Sequence, residues 1–297
     1  MYLLLLSSFL VGISTPIASH LIESEEALVF AFHFLAILAL LQLPIIIPRW
    51  REVITLIKGR QFLYLVVSGI IGTFLYWCEF SALKVGLPVA HISFLSLTVP
   101  CWILFYDYLR GEGGKAQLNR WLMAMAGSGL MIIPIAGQGF SLGLLLPIFT
   151  SLFLAAFLIS SKRSQEAGIS PIVCSFFNDF LPLIGVVILI FTQGKQGEMF
   201  VLPAKLGLMF LYTAVIGLLP GLIFLYGLKT TQLSTASVIV VIEPVILGVI
   251  AVIFSGDALN VNFVMGAAII TIANMPTFFF SSFRKVRVLY TAFNILK

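Results

Sequence analysis

The sequence predicts an all-α integral membrane protein: ten transmembrane helices built as two inverted five-helix repeats, with both termini cytoplasmic. Three observations carry this. Of 297 residues, 60% are apolar and 10% charged, against roughly 25% charged in soluble domains, too few to cover the surface of a water-soluble fold. Apolar runs of about 20 residues, the length that spans a bilayer core, recur from end to end. Lysine and arginine are spread very unevenly over the connections between them.

Taken in order, the spans fall near 2–20, 27–47, 62–83, 86–107, 121–138, 141–160, 171–193, 205–228, 231–254 and 259–281. Helices are expected throughout, because a strand in lipid leaves backbone groups unpaired and no barrel-like alternation is present. The opening "MYLLLLSSFLVGISTPIASH" lacks a charged leading region and a small-residue cleavage site, so it reads as a retained first span. With the N-terminus inside, only Lys84, Lys195 and Lys205 of the 17 basic residues fall on outer connections. That bias orients both termini to the cytoplasm and makes the chain a multi-pass protein of the cytoplasmic (inner) membrane. The acidic "IESEEA" then lies outside, and the basic tail 284–297 reads as an amphipathic segment near anionic lipid.

The two halves share landmarks in the same order. Gly72 precedes Lys84 by twelve residues in one half, and Gly217 precedes Lys229 by twelve in the other. The next helix carries Pro100 in "LTVPCWI" and Pro244 in "VIEPVIL", followed by the polar turns "RGEGG" and "SGDALN". Five crossings are an odd number, so the second copy must be inverted, as in many secondary transporters with a midplane site.

With these landmarks the chain resembles the EamA-type transporters of the drug/metabolite transporter superfamily. Pro244, Gly248, Asp257 and Gly266 in "EPVILGVIAVIFSGDALNVNFVMGAAII" match that family's second-half signature, while the first-half counterpart "DYLRGEGGKAQLNRW" is longer and looser. The resemblance covers essentially the whole chain. It implies one EamA-like repeat over 1–138, an inverted one over 139–283, and a transporter whose substrate is left open, since relatives move amino acids, drugs, nucleotide sugars or S-adenosylmethionine.

Charged side chains at mid-bilayer cost about 2.5–3.5 kcal/mol on insertion scales and usually face a bundle interior or water-filled cavity. Three acids qualify: Glu79 in the outer third of span three, Asp179 beside Asn178 in span seven, and Glu243 before Pro244 in span nine. Their structural alternatives are a salt bridge from Glu79 to Lys84, a hydrogen-bonded knot at Asn178 and Asp179, and a Glu243 bonded to backbone freed by Pro244. Glu79 and His91 fall at similar depth on adjacent antiparallel spans, with His33 and His20 in the same outer half. Histidines beside a carboxylate are able to relay protons near neutral pH, so Glu79, His91 and His33 are the proton-coupling candidates.

On span four, His91, Leu95, Thr98 and Trp102 form one helical stripe, and on span three Tyr76 and Glu79 share a face. Aromatic rings beside a carboxylate suit a cation or a flat ring system. The substrate-binding candidates are therefore Tyr76, Glu79, His91, Thr98, Trp102, Asn178, Asp179 and Glu243, with Phe176 and Phe177 as further rings. The plain alternative for each ring is packing against lipid or core. Ser68 with Gly72, and Thr213 with Gly217 and Gly221, are expected to be helix-packing positions.

Cys78, Cys101 and Cys174 all lie inside apolar spans without CxxC spacing, so neither disulfide nor zinc site is expected. No Walker loop, HExxH, GxSxG or dinucleotide fingerprint occurs in a usable context, so no metal or cofactor is expected. The net charge of +5 reflects orienting loop residues, and no nucleic-acid partner is implied. An enzyme would need its groups gathered near one membrane surface, whereas these acids are spread over its depth. The excess of buried acid over base points to a secondary transporter of a small cationic or zwitterionic metabolite, an amino acid or a derivative such as S-adenosylmethionine, with proton coupling. Efflux of amphipathic drug-like compounds is the alternative, and a non-transporting membrane partner protein a weaker one. Membrane lipid is the other partner, and monomer and dimer both stay open.

Overall fold

The computed structural model describes residues 2–12, 14–22, 26–85, 91–92, 95, 98–111, 114–136, 142–201, 203, 205–231, 233, 236, 239 and 261–274. Within them the secondary structure is entirely helical. The helices are α1 (Tyr2–Gly12), α2 (Ser14–Ile22), α3 (Ala27–Ile46), α4 (Trp50–Ile57), α5 (Phe62–Lys84), α6 (Val99–Leu109), α7 (Lys115–Ala136), α8 (Leu146–Glu166), α9 (Pro171–Thr192), α10 (Leu206–Tyr212), α11 (Leu219–Thr230) and α12 (Val261–Asn274). Among the described residues five helical stretches are long and apolar enough to cross a membrane: Ala27–Ile57, Phe62–Lys84, Gly143–Glu166, Pro171–Thr192 and Leu206–Thr230. The protein is a multi-pass helical membrane protein.

Several edges differ from the sequence expectation. The span expected over 121–138 begins at Lys115, because its first turns are polar and stand outside the apolar run. The span expected over 141–160 runs on to Glu166, carried by Ser160, Ser161, Ser164 and Gln165, which are buried against neighbours rather than in lipid. The stretch 231–254 lies almost wholly outside the described residues. Between α3 and α5 stands α4, a short helix that the span pattern did not foresee.

Glycine sets the closest packing. A Cβ on Gly72 would meet Pro182 Cγ at 2.6 Å, one on Gly69 would run into Leu181, and one on Gly185 into Thr73. These contacts lock α5 along α9, the two running parallel, with α3 and α8 antiparallel to α5 beside them. Small residues are what allow such approach between helices in lipid. Gly217 has the expected role, its open face filled by Phe34 and Leu38, while no atom among the described residues lies within 4 Å of a Cβ placed on Gly221. Gly127 and Gly266 make the equivalent close approach between α7 and α12.

Two helices are interrupted where proline removes a donor. Pro182 in α9 leaves the Asn178 carbonyl without its helical N–H, and Pro44 does the same for Leu40 in α3. Between α10 and α11, Thr213–Leu218 winds as a π-helix just before Pro220, whose missing N–H favours the wider turn. The carbonyl of Pro220 accepts a hydrogen bond from Ser7 Oγ of α1 at 2.9 Å. At its C-terminus α11 is capped from α8: Lys162 Nζ donates to the Leu228 and Thr231 carbonyls at 2.9 Å, and Gln165 Nε2 to Leu225 at 3.0 Å. A cation there satisfies orphan carbonyls and the negative end of the helix dipole together.

Two of the core's apolar clusters are strung along α9. Val186 and Ile190 pack with Phe30, Phe34, Leu35 and Phe80 toward its C-terminal end, and Val173, Cys174, Phe176 and Phe177 pack with Leu65, Val53 and Leu225 toward its start. Asp179 falls between them. Overpacking at the tight α5–α9 contact is expected to cost about 1–3 kcal/mol, because the β-branched Thr73 has little rotamer freedom to yield. Gly185→Ala should therefore lower the melting temperature of the purified protein by several degrees, while Gly129→Ala, with nothing among the described residues within 4 Å of its Cβ, should leave it unchanged.

Candidate functional site

Asp179 is the centre of the site, positioned by α9 and served by two other helices. Gln42 of α3 donates its Nε2–H to Oδ2 at 2.5 Å, and the Tyr76 hydroxyl of α5 lies 3.4 Å from Oδ1. Gln42 is buried, whereas Asp179, Tyr76 and Glu79 are partly exposed, so the carboxylate keeps a face for something besides its two donors. Glu79 lies one turn beyond Tyr76 on the same side of α5. Glu79 and Tyr212 are within electrostatic reach of the Tyr76 phenol. Among the described residues Glu79 makes no hydrogen bond or ion pair, and none joins it to Lys84 or His91.

Aromatic rings wall this cluster. Tyr76 stacks with Phe80 at 6.1 Å between ring centres, and Phe34 touches Tyr76, Phe80 and Tyr212 at 6.0, 5.7 and 5.8 Å. Two carboxylates and four rings thus face a common region between α3, α5, α9 and α10. Carboxylate charge and ring faces both attract cations.

Asn178 turns the other way. Adjacent residues on a helix diverge by about 100°, and Asn178 is fully enclosed, accepting from Ser68 Oγ at 2.8 Å and donating to Ser161 Oγ at 3.0 Å. It ties α9 to α5 and α8 as a closed structural knot. Thr98 and Trp102 meet a different partner, Ser151 of α8, at 2.7 and 3.1 Å, and Trp102 packs edge-on to Trp121. His91 is buried with its ring 4.5 Å from that of Phe263 on α12. His33 Nε2 lies 3.3 Å from the Met199 carbonyl, and Lys205 Nζ approaches His20 Nε2 at 3.1 Å. These two histidines hold the loop after α9, which is also pinned by the ion pair between Lys195 and Glu26 at 2.9 Å. Phe176 and Phe177 face the core cluster near the start of α9. Glu243 lies outside the described residues.

The sequence-predicted residues are thus sorted: Tyr76, Glu79 and Asp179 come together, while Asn178, Thr98, Trp102 and the histidines make other contacts. Gln42, Phe34, Phe80 and Tyr212 were missed. Gln42 did leave a signal, being the one strongly polar side chain in "FLAILALLQLPIII"; the rings had none beyond their number. No group of three metal-ligating side chains occurs among the described residues.

This fold and cluster can be set beside known proteins. The family model of the EamA-like transporter family matches residues 1–133 and again 141–278. The chain belongs to the EamA-like transporter family. That family lies within the drug/metabolite transporter superfamily. An uncharacterized transporter of Archaeoglobus fulgidus is 26% identical over 183 residues, 61% of this chain and 64% of that relative's length. A solved crystal structure shares the fold with a TM-score of 0.61 over 93% of this chain and 96% of its own, at 17% identity.

Two measurements separate the knot from the open cluster. Asn178→Ala strands two buried hydroxyl groups, so about 1–3 kcal/mol of stability should be lost, visible as a lower melting temperature. Tyr76→Phe removes only a long contact at a partly exposed group and should leave the melting temperature nearly unchanged.

Proposed function

We propose that this protein is a secondary active transporter of a small cationic or zwitterionic metabolite, an amino acid or an amino-acid derivative such as S-adenosylmethionine. The observation that carries the reading is the pair of partly exposed carboxylates, Asp179 and Glu79, at one tyrosine inside a membrane bundle. Acid without a nearby lysine or arginine is costly in lipid unless a cation or proton arrives to compensate it. A substrate ammonium would take the place of the bond now supplied by Gln42, and its apolar or ring portion would lie against Phe34, Phe80 and Tyr212. Glu79, without a partner among the described residues, is the coupling group, alternating between a proton and the substrate's charge.

The double match of the family model over the two halves supports ten helices built as two inverted repeats, 1–138 and 139–283. Both termini would be cytoplasmic, the protein would sit in the inner membrane, and the site would open alternately to either side. The four-ring wall also favours a second reading, efflux of amphipathic drug-like cations, which need the rings more than a second carboxylate.

Counterflow uptake into proteoliposomes at two pH values tests both, with labelled S-adenosylmethionine, a panel of amino acids and an amphipathic cation. Saturable uptake of a metabolite is expected, reduced at least tenfold in Glu79→Gln and in Asp179→Asn with the melting temperature retained. Transport of the amphipathic cation alone would select the second reading. Uptake unaffected by both substitutions would remove the site from the mechanism.

A further inference from the structure

The short helix α4 plays no part in the cluster around Asp179, yet its composition is specific. At 100° per residue, Trp50, Ile54 and Ile57 form a narrow stripe, and all three are exposed, at 55%, 39% and 48%. Val53 and Leu56 lie beside that stripe and are buried in the core cluster with Ile46, Leu65 and Ile169. The apolar arc of α4 is therefore twice as wide as the protein covers. Its uncovered half meets a polar arc of Arg51, Thr55 and Lys58, all exposed, and Arg60 follows directly. The one acid of α4, Glu52, is already engaged by Arg49 at 3.5 Å.

We infer that α4 is an interfacial anchor that binds anionic phospholipid, with Trp50, Ile54 and Ile57 immersed at the acyl boundary and Arg51, Lys58 and Arg60 on the headgroup phosphates. The placement fits: α4 joins the ends of two membrane-spanning helices, α3 and α5, which brings it to the bilayer surface rather than its interior. Tryptophan is favoured at that depth, and a helix with one apolar face and a basic edge lies in the interface plane. Long basic side chains at the boundary between the two arcs can reach phosphate while their stems stay on apolar surface. Because Val53 and Leu56 tie α4 to α9 and α11 through their shared cluster, lipid held here would set the depth of the bundle in the membrane.

The test uses the full-length protein and two lipids. Retention of phosphatidylglycerol and of phosphatidylcholine by detergent-purified protein is measured by native mass spectrometry, for the wild type and for Arg51→Gln/Lys58→Gln/Arg60→Gln. Each basic residue near an anionic surface changes lipid affinity about fivefold, so the triple variant should hold phosphatidylglycerol at least tenfold more weakly, with phosphatidylcholine unchanged. Wild-type retention should also fall with rising salt, as screened surface charges require. In proteoliposomes, Ile54→Cys carrying a fluorophore should be quenched by brominated lipid; the native Cys78, Cys101 and Cys174 are buried and will not compete for label. Equal phosphatidylglycerol retention by wild type and triple variant, or salt-independent retention, would overturn the inference. So would an unquenched label together with Ile54→Cys disulfide dimers, which would assign the face to a second copy of the chain.

Discussion

The close approach of α5 and α9 is the contact from which the interior of this protein follows. Lipid is as apolar as a leucine side chain, so helices inside it are held by tight packing and by hydrogen bonds rather than by exclusion of water. Gly69 and Gly72 on one helix and Gly185 on the other let the backbones meet. At that separation Ser68 reaches Asn178 and Tyr76 reaches Asp179. A single interface thus yields two polar features with opposite characters. Asn178 closes on partners from both sides and is a strut. Asp179, one residue on and turned by a quarter of the helix, faces the region shared with α3 and is left partly open.

A carboxylate left partly open in this way is consistent with the charged guest proposed above. The donors on Asp179 come from α3 and α5, so any shift of α3 against the α5–α9 pair changes what the carboxylate is bonded to. The helices around it also carry weak points. Pro182 frees a carbonyl one residue from Asp179, and the π-helical turn at Thr213–Leu218 follows directly on Tyr212. Interruptions of this kind are where helices bend and where functional sites gather. For a transporter, a binding carboxylate and the bendable segments belong together, because the guest must change the balance between two arrangements to move.

The membrane class, the helical content and the edges of the spans near 27–47, 62–83, 171–193 and 205–228 were legible in the sequence, since hydrocarbon admits few other solutions. Tyr76, Glu79 and Asp179, which the fold brings together, also stood out, because a carboxylate in an apolar run is conspicuous. What could not be read was which helices face each other. Depth alone placed Glu79 beside His91, yet His91 packs on Phe263 and Glu79 lies by Tyr76. Adjacent numbering grouped Asn178 with Asp179, though a helix turns them apart. Thr98 and Trp102 formed a convincing stripe that the fold spends on Ser151. Gln42 escaped because a single amide in an apolar helix has many structural uses, and only the fold shows that this one meets Asp179. The amphipathic α4 was hidden for a different reason: at eight residues, it is shorter than the windows in which spans are sought.

A water-filled path past the carboxylate cluster, crossed by a cation, is what the proposed function requires. It is tested most directly by the accessibility of Glu79→Cys to a membrane-impermeant, positively charged thiosulfonate reagent, applied in turn to each side of proteoliposomes. The native cysteines are buried and leave a low background. Modification from water is expected, from one side or the other. A cysteine at this position that resists the reagent from both sides, in folded protein, would mean that Glu79 is sealed in the bundle and that transport takes another route.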